Sequence, residues 1–457
     1  LAVLRAPATD GIGLPETVPD RLESYEHFQN FLFERTARGV KLGLDNTLGM
    51  LERLGHPEAS LTAFHVAGTN GKGSTSAVLC SILRAAGLKT GLYTSPHLVD
   101  YRERIRVDGG SCSADELMAA CERMLPHLRE FPLTFFEITT LLALLIFLDR
   151  GVDVAVMEVG LGGRLDATNV LSLPFPVITD VQFDHERILG NRLREIAAEK
   201  AGIIRGPRPV VTGGRRRAVL DVLEARSRSV GASLSVLKNE ARWNIRRMSW
   251  EGTRFRLQTP ERVYDDLFLP LPGEHQVANA ALAVRAVEVM SRTLDLGIGN
   301  EAVVQGLARV FWPGRLQVLR RNPRLVLDAA HNPGGARALG KTLRKLCPGC
   351  RRVLVLGMLE DKRHAPVIRT LAPGADEIVV TSPATARGAS VEVLAGTVRD
   401  LGFECRAIPS VSSAVNAGME AAGPDGIVCV TGSCYTVGEV LEQMGIRDPF
   451  QRPKGGE

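Results

Sequence analysis

Ala67-Gly68-Thr69-Asn70-Gly71-Lys72-Gly73-Ser74-Thr75 decides how the rest of this chain reads. An apolar, strand-like run precedes it at 61–66, and a helix-like run follows at 77–86. Strand, glycine-rich turn and helix in that order make a phosphate-binding loop. Glycines let backbone N–H groups approach phosphate oxygens, and the helix N-terminus adds its positive end. Lys72 supplies a point charge, and a hydroxyl at Ser74 or Thr75 can face Mg2+. The bland alternative is a glycine-rich turn without a ligand, and the Gly-Lys pair and the hydroxyls weigh against it.

Outward from the loop, short runs rich in Val and Ile recur at 90–94, 152–159, 176–180 and 209–211. Amphipathic stretches separate them, as in a parallel sheet covered on both faces. The run 138–148 is too short to span a bilayer and reads as a buried helix. From 233 to 269 the texture changes, and alternation such as Arg254-Phe255-Arg256-Leu257 predicts a small antiparallel region. A helical run follows at 275–290. Trp312-Pro313-Gly314-Arg315 breaks the pattern and marks a boundary. Strands then recur at 325–327, 353–356, 377–381 and 427–431, as in a doubly wound sheet. The expected domains are 1–312 and 316–457. The polar tail 451–457 is expected to fray.

At 457 residues there is length for two or three domains, each with its own core. A net charge of +5 is small for that length. It suits anionic small substrates and argues against nucleic acid. Arg215-Arg216-Arg217 and Arg320-Arg321 read as solvated surface. No signal peptide and no membrane span is visible, and the first residue is Leu rather than Met. Eight scattered cysteines, with one C-x-x-C at Cys347 and Cys350, predict reduced thiols in a cytoplasmic protein and no zinc site.

Three further motifs follow strand-like runs, where α/β sheets collect ligands, and a fourth closes a helix. Glu158-Val159-Gly160-Leu161-Gly162-Gly163-Arg164-Leu165-Asp166-Ala167-Thr168-Asn169 offers a carboxylate suited to Mg2+ opposite the phosphate loop. Thr179-Asp180-Val181-Gln182-Phe183-Asp184-His185 ends in a histidine for metal or phosphate, although imidazole is an uncommon Mg2+ ligand. Glu199-Lys200-Ala201-Gly202-Ile203 closes a helix, where a lysine is ordinarily a solvated charge favoured by the dipole. Asp328-Ala329-Ala330-His331-Asn332-Pro333-Gly334-Gly335 ends the first clear strand of the second domain. Asp328 there can accept from ribose hydroxyls, and His331 can stack on a base.

The loop departs from the spacing G-x-x-x-x-G-K-[ST], whose first glycine would fall on Val66. That points away from GTPases and motor-type ATPases and towards ATP-dependent amide ligases. Taken together, the motifs resemble the folylpolyglutamate synthase and dihydrofolate synthase family of the Mur ligase superfamily. Beside those above, the resemblance includes Thr94-Ser95-Pro96-His97-Leu98, Phe135-Phe136-Glu137, residues 273–279 and Pro313-Gly314-Arg315. It covers about 42–335, and the ordered set is far more specific than any one motif.

The resemblance implies an N-terminal Mur-ligase-like ATPase domain with a mostly parallel sheet and a C-terminal Rossmann-like α/β domain. It places Gly68, Thr69, Asn70, Gly71, Lys72, Gly73 and Ser74 on the ATP phosphates. Asn279, Arg315 and Asp328 match nucleotide contacts, with His331 beside them. Ser74, Ser95, Glu158 and His185 match the Mg2+ site. Thr134, Phe135, Phe136, Leu165, Asp166 and Ala167 match pterin contacts, with Gly43-Leu44-Asp45-Asn46 closing over them. Lys200 matches a carbamylated lysine, N6-carboxylysine, which turns a cation into an anion. Lys72, His185 and Lys200 are thus the candidate catalytic groups. The implied partners are ATP, L-glutamate, and dihydropteroate or a reduced folate, with no nucleic acid or membrane. A monomer is expected.

Two rivals stand beside this reading. A cell-wall Mur ligase carries a UDP-sugar domain before the loop, and the 67 residues ahead of Gly68 are too few for it. A catalytically inactive nucleotide-binding scaffold would not need Lys72, Glu158, His185 and Lys200 together. Within the family, Gly163-Arg164-Leu165-Asp166-Ala167 resembles the bifunctional bacterial pattern.

Overall fold

The computed structural model describes residues 18–39 and 43–451. Leu42, where the resemblance begins, and the tail 452–457 lie outside those residues. An eight-stranded sheet runs in the order Gly110–Ser111, Ile105–Val107, Thr90–Tyr93, Val154–Glu158, Thr62–Ala67, Phe175–Ile178, Val210–Thr212, Leu234–Val236. Ile105–Val107 pairs antiparallel with both of its neighbours, and the remaining pairings are parallel. The strand Thr62–Ala67 sits centrally and feeds the phosphate loop into the helix Lys72–Ala85. Its period-two alternation splits the core. Phe64 and Val66 face the helices Lys72–Ala85 and Glu274–Leu294. Ala63 faces the helix Phe135–Asp149, which is apolar nearly all round and buried.

The expected strands appear within a residue or two of their predicted ends. One expectation is corrected. The antiparallel region does not start at 233, because Leu234–Val236 pairs in parallel with Val210–Thr212 and extends the large sheet. The separate antiparallel sheet comprises Arg242–Ser249, Gly252–Gln258 and Val263–Leu269. Three apolar or small residues at a sheet edge carry no period, so sequence texture cannot assign them to either sheet.

The second sheet runs Gln317–Arg321, Arg324–Leu327, Ile427–Thr431, Arg352–Gly357, Glu377–Thr381, Arg406–Ala407. Only its first pair is antiparallel. Both faces are covered by helices, with Val326 on one core and Leu325 and Leu327 on the other. The thiol expectation is also corrected at one place. Cys347 and Cys350 form a disulfide, because the turn after the helix Pro333–Leu346 brings their Cα atoms to 5.6 Å. The other six cysteines are free thiols. No described helix is long and apolar enough to cross a membrane.

Candidate active site

Strand ends of the two large sheets meet across one cleft of about 1940 Å³. That exceeds the roughly 300–1,000 Å³ of a typical small-molecule pocket and leaves room for a nucleotide beside a second ligand. The expected site residues line this cleft, from Gly68–Ser74 and Glu158 on one wall to Arg315, Asp328 and His331 on the other, except Thr75 and the stretch Leu44-Asp45-Asn46.

The phosphate loop owes its shape to close backbone approach. Gly68 has φ +149° and Gly71 φ +86°. A Cβ on Gly68 would collide with Thr179 Oγ1, and one on Gly71 with the Asn279 side chain. The loop is stitched to the neighbouring strand end: Thr69 N–H donates to Asp180 O at 2.6 Å, and Thr179 Oγ1 donates to Asn70 O at 2.7 Å. Gly71 caps the helix Lys72–Ala85 without any side-chain bond, so the first N–H groups stay free for an anion. Lys72 Nζ folds back onto Gly68 O at 3.1 Å. Of the two candidate hydroxyls, Ser74 lines the cleft while Thr75 is fully buried with its Oγ1 unpartnered.

Glu158 ends its strand almost fully buried, and its Oε2 accepts a long bond from Ser95 N–H at 3.3 Å. Burial raises its carboxyl, while Lys72 and then Arg315 act to lower it. His185 takes a left-handed φ of +51°. Burial brings its imidazole down to about 4, so it stays neutral, with Nε2 3.5 Å from Lys362 Nζ. Beside it, burial would raise Asp184, but the Lys362 ammonium and the nearby imidazoles bring it to about 2. Among the described residues no three His, Cys, Asp or Glu side chains cluster as a metal site. A buried carboxylate with one weak partner, a serine hydroxyl and room for water still suit a hard cation such as Mg2+.

Lys200 departs from its solvated reading. It is 4% exposed at the end of the helix Leu193–Ala201 and donates to Gly68 O at 3.0 Å. Burial, with Lys72 next, lowers its amine to about 7.

On the far side of the cleft mouth, Thr134 caps the helix Phe135–Asp149 with Glu137 in return. The Phe136 ring lies where a Cβ on Gly160 would sit. Asp166 Oδ2 accepts from Leu161 N–H at 2.8 Å, which holds the glycine-rich turn. Gly43 lines the same end.

From the second sheet, Asp328 accepts from Leu316 N–H and Ala330 N–H, each at 3.0 Å, and burial raises its carboxyl. His331 is held by Ala329 O at 3.0 Å, and burial lowers it to about 4. Sequence reasoning missed Asn332 and Lys362 as site groups. Asn332 Nδ2 donates to Asn70 Oδ1 at 2.9 Å and to Asp184 Oδ2 at 3.3 Å, joining the two sheets' loops directly. An Asn before Pro-Gly-Gly is a helix-cap signal, but nothing in sequence says which loop the cap will face. Lys362 had no signal beyond its charge.

Two domain patterns match the chain. The Mur ligase middle domain matches residues 66–287, and the Mur ligase glutamate ligase domain matches 314–434. The fold and cleft therefore define a Mur-type ligase. A dihydrofolate synthase/folylpolyglutamate synthase of Bacillus subtilis is 38% identical over 76% of this chain and 83% of its own length. Escherichia coli FolC, solved in complex with DHPP and ADP, superposes with TM-score 0.85 at 32% identity, covering 93% of this chain and 98% of that one. A bifunctional folylpolyglutamate synthase/dihydrofolate synthase of Yersinia pestis, complexed with AMPPNP and a Mn ion, gives TM-score 0.83 at 34% identity, covering 93% and 98%. The chain belongs to the dihydrofolate synthase/folylpolyglutamate synthase family, the ATP-dependent glutamate ligases of folate metabolism.

Proposed function

We propose that this chain joins L-glutamate to dihydropteroate and to the γ-carboxylate of reduced folates, at the cost of ATP. The observation that carries this is the convergence of both sheets' loops on one cleft through the Asn332–Asn70 bond. ATP phosphorylates the acceptor carboxylate. The glutamate amine then attacks the acyl phosphate, and phosphate leaves as the amide forms. A free carboxylate is a poor acyl donor, so activation must come first.

The open N–H groups at Gly71 and the Lys72 ammonium would hold the transferring phosphoryl group. Asn279, Arg315 and Asp328 would hold the nucleoside, with His331 beside it. Ser74, Ser95, Glu158 and His185 would hold Mg2+, which neutralises phosphate charge when bound. Thr134, Phe135, Phe136, Leu165, Asp166 and Ala167 would receive the pteridine. Lys200 is the proposed carbamate: its neutral amine adds CO2 and releases a proton. An amine at about 7 supplies that neutral form near neutral pH. We place the two working bodies at 1–312 and 316–457, a division supported by the change of sheet after the helix Asn300–Arg309. A monomer is proposed with it.

The test is glutamate-dependent ADP release by purified protein, with dihydropteroate or tetrahydrofolate and products weighed by mass. Two added-glutamate products support the bifunctional reading. Product from one acceptor alone narrows it, and ADP release without any amide product sinks it.

A further inference from the structure

We propose that His65 and Thr168 form a buried hydrogen-bond relay that positions the Asp166 carboxylate for the pteridine-bearing substrate. His65 is then a positioning residue for substrate capture. The proposal rests on the pteridine reading of Asp166 given above.

His65 lies on the central strand, two residues before the phosphate loop, with no exposed surface. Its Nε2 is 2.8 Å from Thr168 Oγ1. Thr168 Oγ1 is in turn 2.5 Å from Asp166 Oδ1, and Thr168 N–H reaches the same oxygen at 3.0 Å. A carboxylate only accepts, so the threonine proton points towards Asp166. Thr168 Oγ1 must then accept from His65, which places the imidazole proton on Nε2. The other ring nitrogen, Nδ1, is buried without a partner. An apolar side chain at this position would avoid that cost, so packing alone does not account for a histidine here.

The chain of donors has one free end. Asp166 Oδ1 is taken by Thr168, while Oδ2 accepts from Leu161 N–H at 2.8 Å, and the Gly160 N–H also lies against the carboxylate. Asp166 lines the cleft. A carboxylate tied behind at one oxygen presents the other at a fixed angle. It suits one N–H of an aminopyrimidine edge. Thr168 is fully buried and His65 lies behind it, so both act only through Asp166.

The experiment compares two amides at position 65 in steady-state turnover with dihydropteroate. His65→Gln sets its amide donor near the imidazole Nε2, and His65→Asn sets it near Nδ1. We expect His65→Asn to raise KM for dihydropteroate about tenfold, with kcat and KM for ATP within about twofold, and His65→Gln to stay near wild type. Thr168→Val reads the same link from its other end and should match His65→Asn. Equal behaviour of the two amides, or an equal rise in KM for ATP, would overturn the relay and leave a packing role. Asp166→Asn separates the layers. If it leaves KM for dihydropteroate unchanged, the pteridine reading itself fails. If it raises that KM while the position 65 and 168 variants do not, only the relay fails.

Discussion

The loops 68–75 and 328–335 are built alike and finished differently. Each leaves a buried strand and opens a helix of 14 residues. The first helix begins at Gly71, in a left-handed conformation with no side-chain cap. The second begins at Asn332, whose Oδ1 accepts from Gly335 N–H at 2.9 Å, with Pro333 at its first position. An uncapped end holds unspent N–H donors and positive potential, and so remains open to an anion. A capped end has satisfied its own donors and contributes side chains instead. One cleft thus receives backbone charge from one wall and side-chain contacts from the other.

The largest expected effect tests the open end. Lys72→Ala should lower kcat about 10²–10³-fold, with the fold intact by circular dichroism, since a charged donor to the transferring group is lost. Near-normal turnover would show that the uncapped helix end suffices, or that phosphate binds elsewhere.

The capped end can be divided into its two jobs. Asn332→Ser keeps a capping acceptor but loses the amide donor to Asn70 Oδ1. Its melting temperature should hold while KM for ATP rises several-fold. Asn332→Ala loses both and should cost about 1 kcal/mol of stability as well. If the two variants behave alike in melting and kinetics, capping and interdomain contact are not separable.

The strands feeding the loops differ too. His65 is buried in the first, where burial brings its imidazole down to about 3, while the second strand, Arg324–Leu327, holds no buried histidine. The unfolded chain binds a proton below about 6.5 that the folded chain refuses. Stability should therefore fall as pH drops from about 6.5 towards about 3, with the N-terminal body yielding first. His65→Gln should flatten that limb in pH-dependent denaturant melts, and an unaltered slope would assign acid sensitivity to other groups.

The smallest effect concerns support of the first loop. A Cβ on Gly73 would meet the Trp312 ring at 2.9 Å, and Phe450 packs edge-on to Trp312 at 5.2 Å between ring centres. Phe450→Ala should cost about 0.5–1.5 kcal/mol and raise KM for ATP about twofold. An unchanged KM with lowered stability would reduce the contact to packing.

Both sheets, and the membership of the cleft, were legible because glycine-rich and acidic motifs follow Val- and Ile-rich runs. Such runs pair in parallel, and their ends collect at ligand crevices. The disulfide between Cys347 and Cys350 was not legible as a bond, since residue spacing does not report the distance between Cα atoms. Lys200 was misread physically because a lysine at a helix end is usually solvated. Its burial depends on the glycines at 162 and 163, which let the neighbouring turn pack close against that helix.

By itself the sequence determined local order: which runs make strands and which glycine-rich and acidic motifs follow them. Those follow from periodicity and backbone chemistry within a few residues. Only tertiary structure decided which distant groups meet. Asn332 reaches Asn70 across 262 positions, and His65 reaches Thr168 across 103. Such contacts are set by sheet order and domain closure, which no short stretch of chain encodes.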